Sequence, residues 1–145
     1  IHAGGAKREV AGVVVMAPHV YVEEVAIQGI IATKHSFQTT DFRGRLGRYH
    51  ADAGSVFWGW NDIWLHPDFR AWNIEEYLAP ISCPVLAIQG EDDEYGTLDQ
   101  IERIARQVGG RAEMLPVPNC RHSPHKDQPA AVLEAVARFV ASTLR

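Results

Sequence analysis

The stretch Cys83-Pro-Val-Leu-Ala-Ile-Gln-Gly90 decides the fold, because it is a short apolar run that ends in a glycine turn. Such a run suits a buried strand of a parallel sheet. A helix is predicted directly after it, because five apolar residues recur at helical spacing ahead of Gly109-Gly110: Leu98, Ile101, Ile104, Ala105 and Val108. A strand followed at once by a helix is typical of an α/β sheet.

The remainder of the chain repeats this alternation. Residues 113–117 predict a third strand, and Pro116 favours an edge position for it because proline cannot donate a ladder hydrogen bond. A final helix with Pro129 near its start is predicted from one apolar stripe: Val132, Leu133, Val136, Phe139, Val140 and Leu144.

The first strand is predicted at residues 10–16, which are apolar on both faces. A strand of this kind should have neighbours on both sides, so the sheet is expected to be unfinished. The link to the second strand is too long for an ordinary crossover and predicts an inserted subdomain, with a helix over 22–37 and short helices within 41–77. The fold class is therefore α/β, a parallel sheet of about three strands with a helical insertion.

Composition excludes several classes of function. The chain has 145 residues with 46% hydrophobic and 22% charged side chains, which is one globular domain. Its net charge is -4 and its basic residues are not clustered, so we expect no nucleic-acid partner. The longest apolar run, residues 10–17, is too short to span a membrane. Two cysteines make no disulfide framework and no signal peptide is evident, which predicts a cytoplasmic protein.

Residues that could carry chemistry follow the second and third predicted strands. Four acids occupy residues 91–94, and the loop after the third strand contains His122 and His125. Because functional groups gather at the carboxyl ends of parallel strands, an acid and a histidine from these two loops can meet in space. Such a pair is the orienting half of a nucleophile–histidine–acid relay.

These motifs resemble the C-terminal half of α/β-hydrolase fold enzymes of the esterase-like type that carry a cap. The resemblance rests on Cys83-Pro-Val-Leu-Ala-Ile-Gln-Gly-Glu-Asp-Asp93 and on His122-Ser-Pro-His-Lys-Asp-Gln-Pro129. It implies that Asp93 is the triad acid, with Asp92 as the nearest competitor, and that His122 is the triad base. It also implies a hydrolase core formed by residues 1–20 and 81–145 and a helical cap at 21–80.

The departures from that family are equally informative. The G-x-S-x-G turn that presents the nucleophile is not in this sequence, and the oxyanion-hole loop is absent too. None of the five serines has the required setting: Ser36, Ser55, Ser82, Ser123 and Ser142. Residues 1–9 resemble the tail of the helix that follows the nucleophile turn. Arg121 stands where the family usually has glycine, which bears on the backbone angles of the loop and on access to His122.

Other readings of the polar residues are weaker. A metal site would have to borrow His19, His50 or His66, and no ligand motif supports it, so we expect no metal and no cofactor. Cys120 and Cys83 are interpreted as structural thiols. Seven aromatic residues could line a substrate pocket or form the core of the cap, and the sequence favours neither: Phe57, Trp58, Trp60, Trp64, Phe69, Trp72 and Tyr77.

Two functional hypotheses follow. In the first, the chain is one part of an ester- or thioester-type hydrolase that is incomplete alone, and its nucleophile and oxyanion hole come from a companion chain or from an omitted segment. In the second, it is a truncated, non-catalytic protein that self-associates or binds a small apolar ligand under the cap. Both predict association, because an apolar strand at an open sheet edge is normally paired or covered.

Overall fold

The computed structural model describes residues 10–144 and contains one three-stranded sheet. Its elements follow one another in this order: β1 (Val13–Met16), α1 (Glu24–Thr39), α2 (Phe42–Leu46), α3 (Ala53–Trp64), two 3₁₀ turns (Pro67–Ala71 and Glu75–Tyr77), β2 (Val85–Gly90), α4 (Asp99–Gln107), β3 (Ala112–Val117), α5 (Pro124–Asp127) and α6 (Pro129–Thr143). The sheet order is β1-β2-β3, and both pairings are parallel. The predicted α/β class is confirmed. The interpretation of residues 1–9 lies outside the described residues.

Strand β2 is central and all six of its residues are buried, because helices cover both faces of the sheet. Leu86 and Ile88 point to a core shared with α6. Val85 and Ala87 point to the opposite core, which is shared with α4. This alternation explains why residues 85–88 are apolar without a polar face, as expected for a strand covered on both sides.

Strands β1 and β3 are the edges of the described sheet. Pro116 lies in β3, as the sequence predicts, because only an edge strand tolerates the missing donor. Strand β1 begins at Val13, three residues later than predicted, and it pairs with β2 alone among the described residues. Its residues are half-buried or exposed, and Met16 is 44% exposed.

Helix α6 departs from the predicted stripe. Its buried residues are Val132, Ala135 and Phe139. Leu133, Val140 and Leu144 face outward although the stripe includes them. The apolar surface of α6 is therefore wider than the part of the sheet that it covers.

Three α-helices and two 3₁₀ turns lie between β1 and β2, as predicted for this segment. They are held together by aromatic packing, in which the rings of Phe37 and Phe57 stack with centroids 3.8 Å apart. We call residues 24–77 the helical segment. The division into a hydrolase core and a cap stays a prediction. None of the helices within residues 10–144 has the length and apolar character needed to cross a membrane.

Candidate functional site

Asp93 is held in a turn directly after β2, and its carboxylate is completely buried. Its oxygens accept hydrogen bonds from Gln89 Nε2 at 2.6 Å and from the backbone N–H of Tyr95 at 2.8 Å. The neighbouring Asp92 is exposed. The structure therefore brings Asp93, and not its sequence competitor Asp92, to the interior of the site.

His122 contacts this carboxylate from the loop after β3. Its Nδ1 lies 2.9 Å from Asp93 Oδ2 and 3.1 Å from Oδ1, and its ring packs edge-on against Tyr95 at a centroid distance of 4.8 Å. The hydrogen bond to Asp93 raises the pKa of His122 above its ordinary value, against the opposing effect of burial, and the charge of Glu94 adds to the rise. With Nδ1 bonded to Asp93, Nε2 is the nitrogen left to exchange a proton.

Gly90 allows the two loops to approach this closely. A Cβ atom at Gly90 would collide with the carbonyl oxygens of Cys120 and Arg121. The same approach lets the backbone N–H of Asp92 donate to the Cys120 carbonyl at 3.0 Å. The glycine predicted as a turn residue is thus required by the contact between the two loops.

Arg121 does not disturb the loop that carries His122. The left-handed residue of that loop is Asn119, with φ of 51°, a conformation that asparagine tolerates better than most residues. Arg121 donates its backbone N–H to Asp127 at 2.8 Å, and its exposed guanidinium lies 3.1 Å from Glu94. A side chain at position 121 therefore fits without left-handed backbone strain and points toward Glu94.

A cavity of about 350 Å³ lies beside His122, between the loops and the helical segment. Its walls are mostly apolar: His19, Thr33, Phe42, Leu46, Val56, Phe57, Trp60, Trp64, Tyr95 and His122. Its size is that of a small-molecule site. Two of its polar members satisfy one another, since Thr33 Oγ1 and the Tyr95 hydroxyl are hydrogen-bonded at 2.5 Å.

The structure divides the aromatic residues that the sequence left open. Three of the seven line the cavity: Phe57, Trp60 and Trp64. Trp58 packs edge-on against the buried Phe57 ring at 5.2 Å. Phe69 and Trp72 stack on one another at 5.4 Å, and Tyr77 is 65% exposed. Phe57 does both, because it is buried in the stack with Phe37 and also lines the cavity, and the use of the cavity as a substrate pocket stays a prediction.

His19 is a site residue that the sequence reasoning considered only as a metal ligand. It follows β1, and Ala17 between them has φ of 47°, the left-handed region that a non-glycine residue rarely adopts. The His19 ring lies 6.1 Å from the His122 ring and packs edge-on against Trp64 at 5.0 Å. Burial is the main cause that lowers its pKa. The rule applied to β2 and β3, that chemistry follows strand ends, would have found it.

The remaining candidates do not join the site. His50 and His66 belong to the helical segment, and no group of three or more His, Cys, Asp or Glu side chains between residues 10 and 144 is arranged to hold a metal ion. Cys120 is buried, and burial raises the pKa of its thiol, so it is not activated as a nucleophile. Cys83 is unpaired and half-buried.

No hydroxyl or thiol is hydrogen-bonded to His122 in the part of the chain that the structure describes. The only hydrogen bonds of His122 there go to Asp93. Ser55, for example, donates its hydroxyl to Asp52 in the cap of α3. The arrangement can orient an imidazole and stabilise its protonated form, and it needs a hydroxyl or thiol from elsewhere to attack a carbonyl.

Comparison with solved structures identifies the fold. No protein-family model matches the sequence, and no curated protein matches it significantly. A serine hydrolase involved in carbazole degradation superposes with a TM-score of 0.62 at 16% identity, covering 92% of this chain and 54% of its own. A meta-cleavage product hydrolase from Pseudomonas fluorescens gives 0.58 at 18%, covering 89% and 55%. A thermophilic esterase from Thermogutta terrifontis gives 0.55 at 17%, covering 92% and 56%.

Identities this low establish the fold alone. The chain spans slightly more than half the length of these three structures, all of which are α/β-hydrolases. The parallel order β1-β2-β3 with intervening helices agrees with that assignment. The chain therefore has a partial α/β-hydrolase fold.

Proposed function

We propose that Asp93 and His122 form the acid–base pair of a hydrolase that acts on ester or thioester carbonyls. The observation that carries this proposal is the hydrogen bond from His122 Nδ1 to the fully buried Asp93 carboxylate, 2.9 Å long, beside an apolar cavity. A buried carboxylate fixes the imidazole tautomer and stabilises the imidazolium that forms during acyl transfer. The cavity would take the apolar part of the substrate.

The reaction would use His122 Nε2 as the base. A nucleophile hydroxyl or thiol gives its proton to Nε2 as its oxygen or sulfur attacks the substrate carbonyl carbon. The imidazolium then passes this proton to the leaving group, and water repeats the sequence to release the acid. Because the sequence contains no G-x-S-x-G turn, we propose that the nucleophile and oxyanion hole come from a companion segment.

The open edge of β1 is the proposed docking place for that segment. One side of this strand has no strand neighbour within residues 10–144, and Met16 at its end is exposed. Val140 of α6 and Leu144 directly after that helix border a cleft with Gly12 beside the strand, and both side chains are exposed. An unpaired edge next to apolar surface favours a further strand and helix.

The same edge supports a second candidate, in which two copies of the chain associate through β1 without catalysis. Sedimentation at several concentrations distinguishes the two. A concentration-dependent dimer favours self-association. A chain that stays monomeric at every concentration would contradict self-association.

Methanol can stand in for the missing nucleophile. We expect the chain to transfer the butyryl group of p-nitrophenyl butyrate to methanol, with a rate that rises with methanol concentration. Methyl butyrate is then the product, and p-nitrophenol leaves with the proton that His122 carried. His122→Gln should reduce the methanol-dependent rate by about 10²- to 10⁴-fold, the usual contribution of a general base.

The matched control is His125→Gln, three residues further along the chain in α5, which should leave the rate unchanged. Nuclear magnetic resonance spectra establish that each variant is folded. A methanol-dependent rate that is equal in His122→Gln and in the unaltered chain would refute the proposed role of the pair.

A further inference from the structure

His19 differs from the other polar residues of the cavity because it lacks a partner. Thr33 and Tyr95 bond to one another, and His122 Nδ1 is bonded to Asp93. Neither ring nitrogen of His19 is hydrogen-bonded to any residue of the described range 10–144, and its Nδ1 is buried. Buried polar groups without partners are uncommon in folded proteins, and each one calls for an explanation.

The position of His19 is fixed by its surroundings. The next residue, Val20, donates its backbone N–H to the buried Gln100 Oε1 at 2.8 Å and accepts from the N–H of Ile74 at 2.8 Å. Gly96 leaves room for the ring, since a Cβ there would lie 3.2 Å from His19 Cε1. The left-handed Ala17 turns the chain toward the cavity. Strained backbone of this kind clusters at functional sites.

The surroundings also fix the charge of His19. Burial and the neighbouring His122 lower its pKa, more than the carboxylates of Asp93 and Glu23 raise it. The imidazole is therefore neutral at neutral pH, with one nitrogen as donor and the other as acceptor. In an apolar cavity, such a group favours a ligand that brings a neutral hydrogen-bonding group.

We propose that His19 determines specificity by hydrogen bonding to a neutral carbonyl or hydroxyl group of a ligand whose apolar body fills the cavity. The inference rests on the proposed function only in taking the cavity as the substrate site. The two histidine rings are 6.1 Å apart, so one small molecule can contact both.

Paired ligands test this role in the intact chain. Acetophenone and ethylbenzene have similar shapes, and only acetophenone carries a carbonyl oxygen. Affinities are measured by nuclear magnetic resonance titration, following the indole signals of Trp60 and Trp64, which line the cavity. His19→Phe keeps a ring against Trp64 and should weaken acetophenone binding about 3- to 10-fold, the worth of one neutral hydrogen bond. Ethylbenzene binding should change less than about 2-fold, because the hydrocarbon makes no such bond.

Two further variants complete the test. His19→Gln restores a donor and an acceptor and should recover part of the preference for acetophenone. His122→Gln should keep that preference, since the bond is assigned to His19. The inference is overturned if His19→Phe weakens the binding of both ligands equally, or if that variant still prefers acetophenone. It is also overturned if the preference for acetophenone is lost only in His122→Gln, or if neither ligand binds the unaltered chain. The methanol assay tests Asp93 and His122, and the ligand titration tests His19, so the two proposals can fail independently.

Discussion

Gly90→Ala should separate the two halves of the acid–base pair. Gly90 ends β2, and the backbone of Cys120 and Arg121 lies directly against its α-carbon. A new Cβ would meet both carbonyl oxygens and would lie 2.7 Å from the carbonyl carbon of Cys120. Because these obstacles are backbone atoms, no rotation of a side chain can relieve the overlap, and the loop that carries His122 must move.

The geometry gives the size of the effect. Relaxing the 2.7 Å contact to an ordinary carbon–carbon separation of ~3.5 Å requires a displacement of at least about 0.8 Å, because the two carbonyl oxygens lie closer still. If His122 follows its loop, the 2.9 Å contact with Asp93 lengthens to about 3.7 Å, beyond a hydrogen bond. Overpacking costs about 1–3 kcal/mol, and loss of a hydrogen bond to a charged group costs about 1.5–3 kcal/mol. We expect a destabilisation of about 3 kcal/mol and a fall in Tm of about 10 °C.

Thermal unfolding and a proton titration of His122 measure the two consequences. The matched control is Gly59→Ala in α3, where nothing lies within 4 Å of the added Cβ. This control should stabilise the chain by about 1 kcal/mol, because alanine is the better helix former. In Gly90→Ala the pKa of His122 should fall toward its ordinary value. A Tm that changes equally in both variants, or a His122 pKa that stays raised in Gly90→Ala, would refute the reasoning.

Three further predictions concern the same site. Tyr95→Phe removes the hydroxyl bonded to Thr33 and should lower the free energy of unfolding by about 0.5–1.5 kcal/mol. Adding Thr33→Val should lower it little further, because the hydrogen bond is already lost, and urea unfolding of the single and double variants measures both effects. The pKa of His122 is raised on folding, so its pairing with Asp93 stabilises the chain fully below about pH 6.5. This stabilisation is lost as the pH rises through the raised pKa. Asp93→Asn should therefore lower the free energy of unfolding more at pH 6 than at pH 9. Arg121→Gly should lower stability by about 0.5–1 kcal/mol in thermal unfolding, since position 121 needs no left-handed angle and glycine adds freedom to the unfolded chain; a stabilised variant would contradict this.

Sequence reasoning was most successful where local chemistry and packing coincide. Residues 85–88 are apolar on both faces because helices cover both sides of β2, so their pattern predicts a central strand. The contact between Asp93 and His122 was predicted from two sequence features. These are the acids that follow Gly90 at the end of β2 and the histidine that follows β3. Nothing in a run of four acids distinguishes Asp93 from Asp92 except the family pattern. The structure distinguishes them by burial.

The failures arise where a residue's setting depends on distant parts of the chain. The stripe of α6 is continuous in sequence, yet Leu133 and Leu144 are both 70% exposed, because the described sheet is narrower than the apolar surface of the helix. The place of His19 just after β1 is visible in the sequence, and the strand-end rule was not applied to it. Its ring neighbours Trp64 and His122 approach it only in the folded chain.

The acid–base pair and the cavity depend on different parts of the molecule. Every side-chain hydrogen bond of Asp93 and His122 in the described chain is made with Gln89 of β2, with the turn after β2, or between the two residues themselves. Most of the cavity wall comes from α1, α2 and α3. Substitutions in the helical segment can therefore alter which ligand enters while the pair keeps its geometry. Two residues belong to both parts. His122 is a member of the pair and lines the cavity, and Tyr95 holds Asp93 with its backbone while its hydroxyl bonds to Thr33 of α1. A ligand can therefore affect the protonation of His122 in two ways: by direct contact, because His122 lines the cavity, and through Tyr95, which links the Asp93 turn to α1.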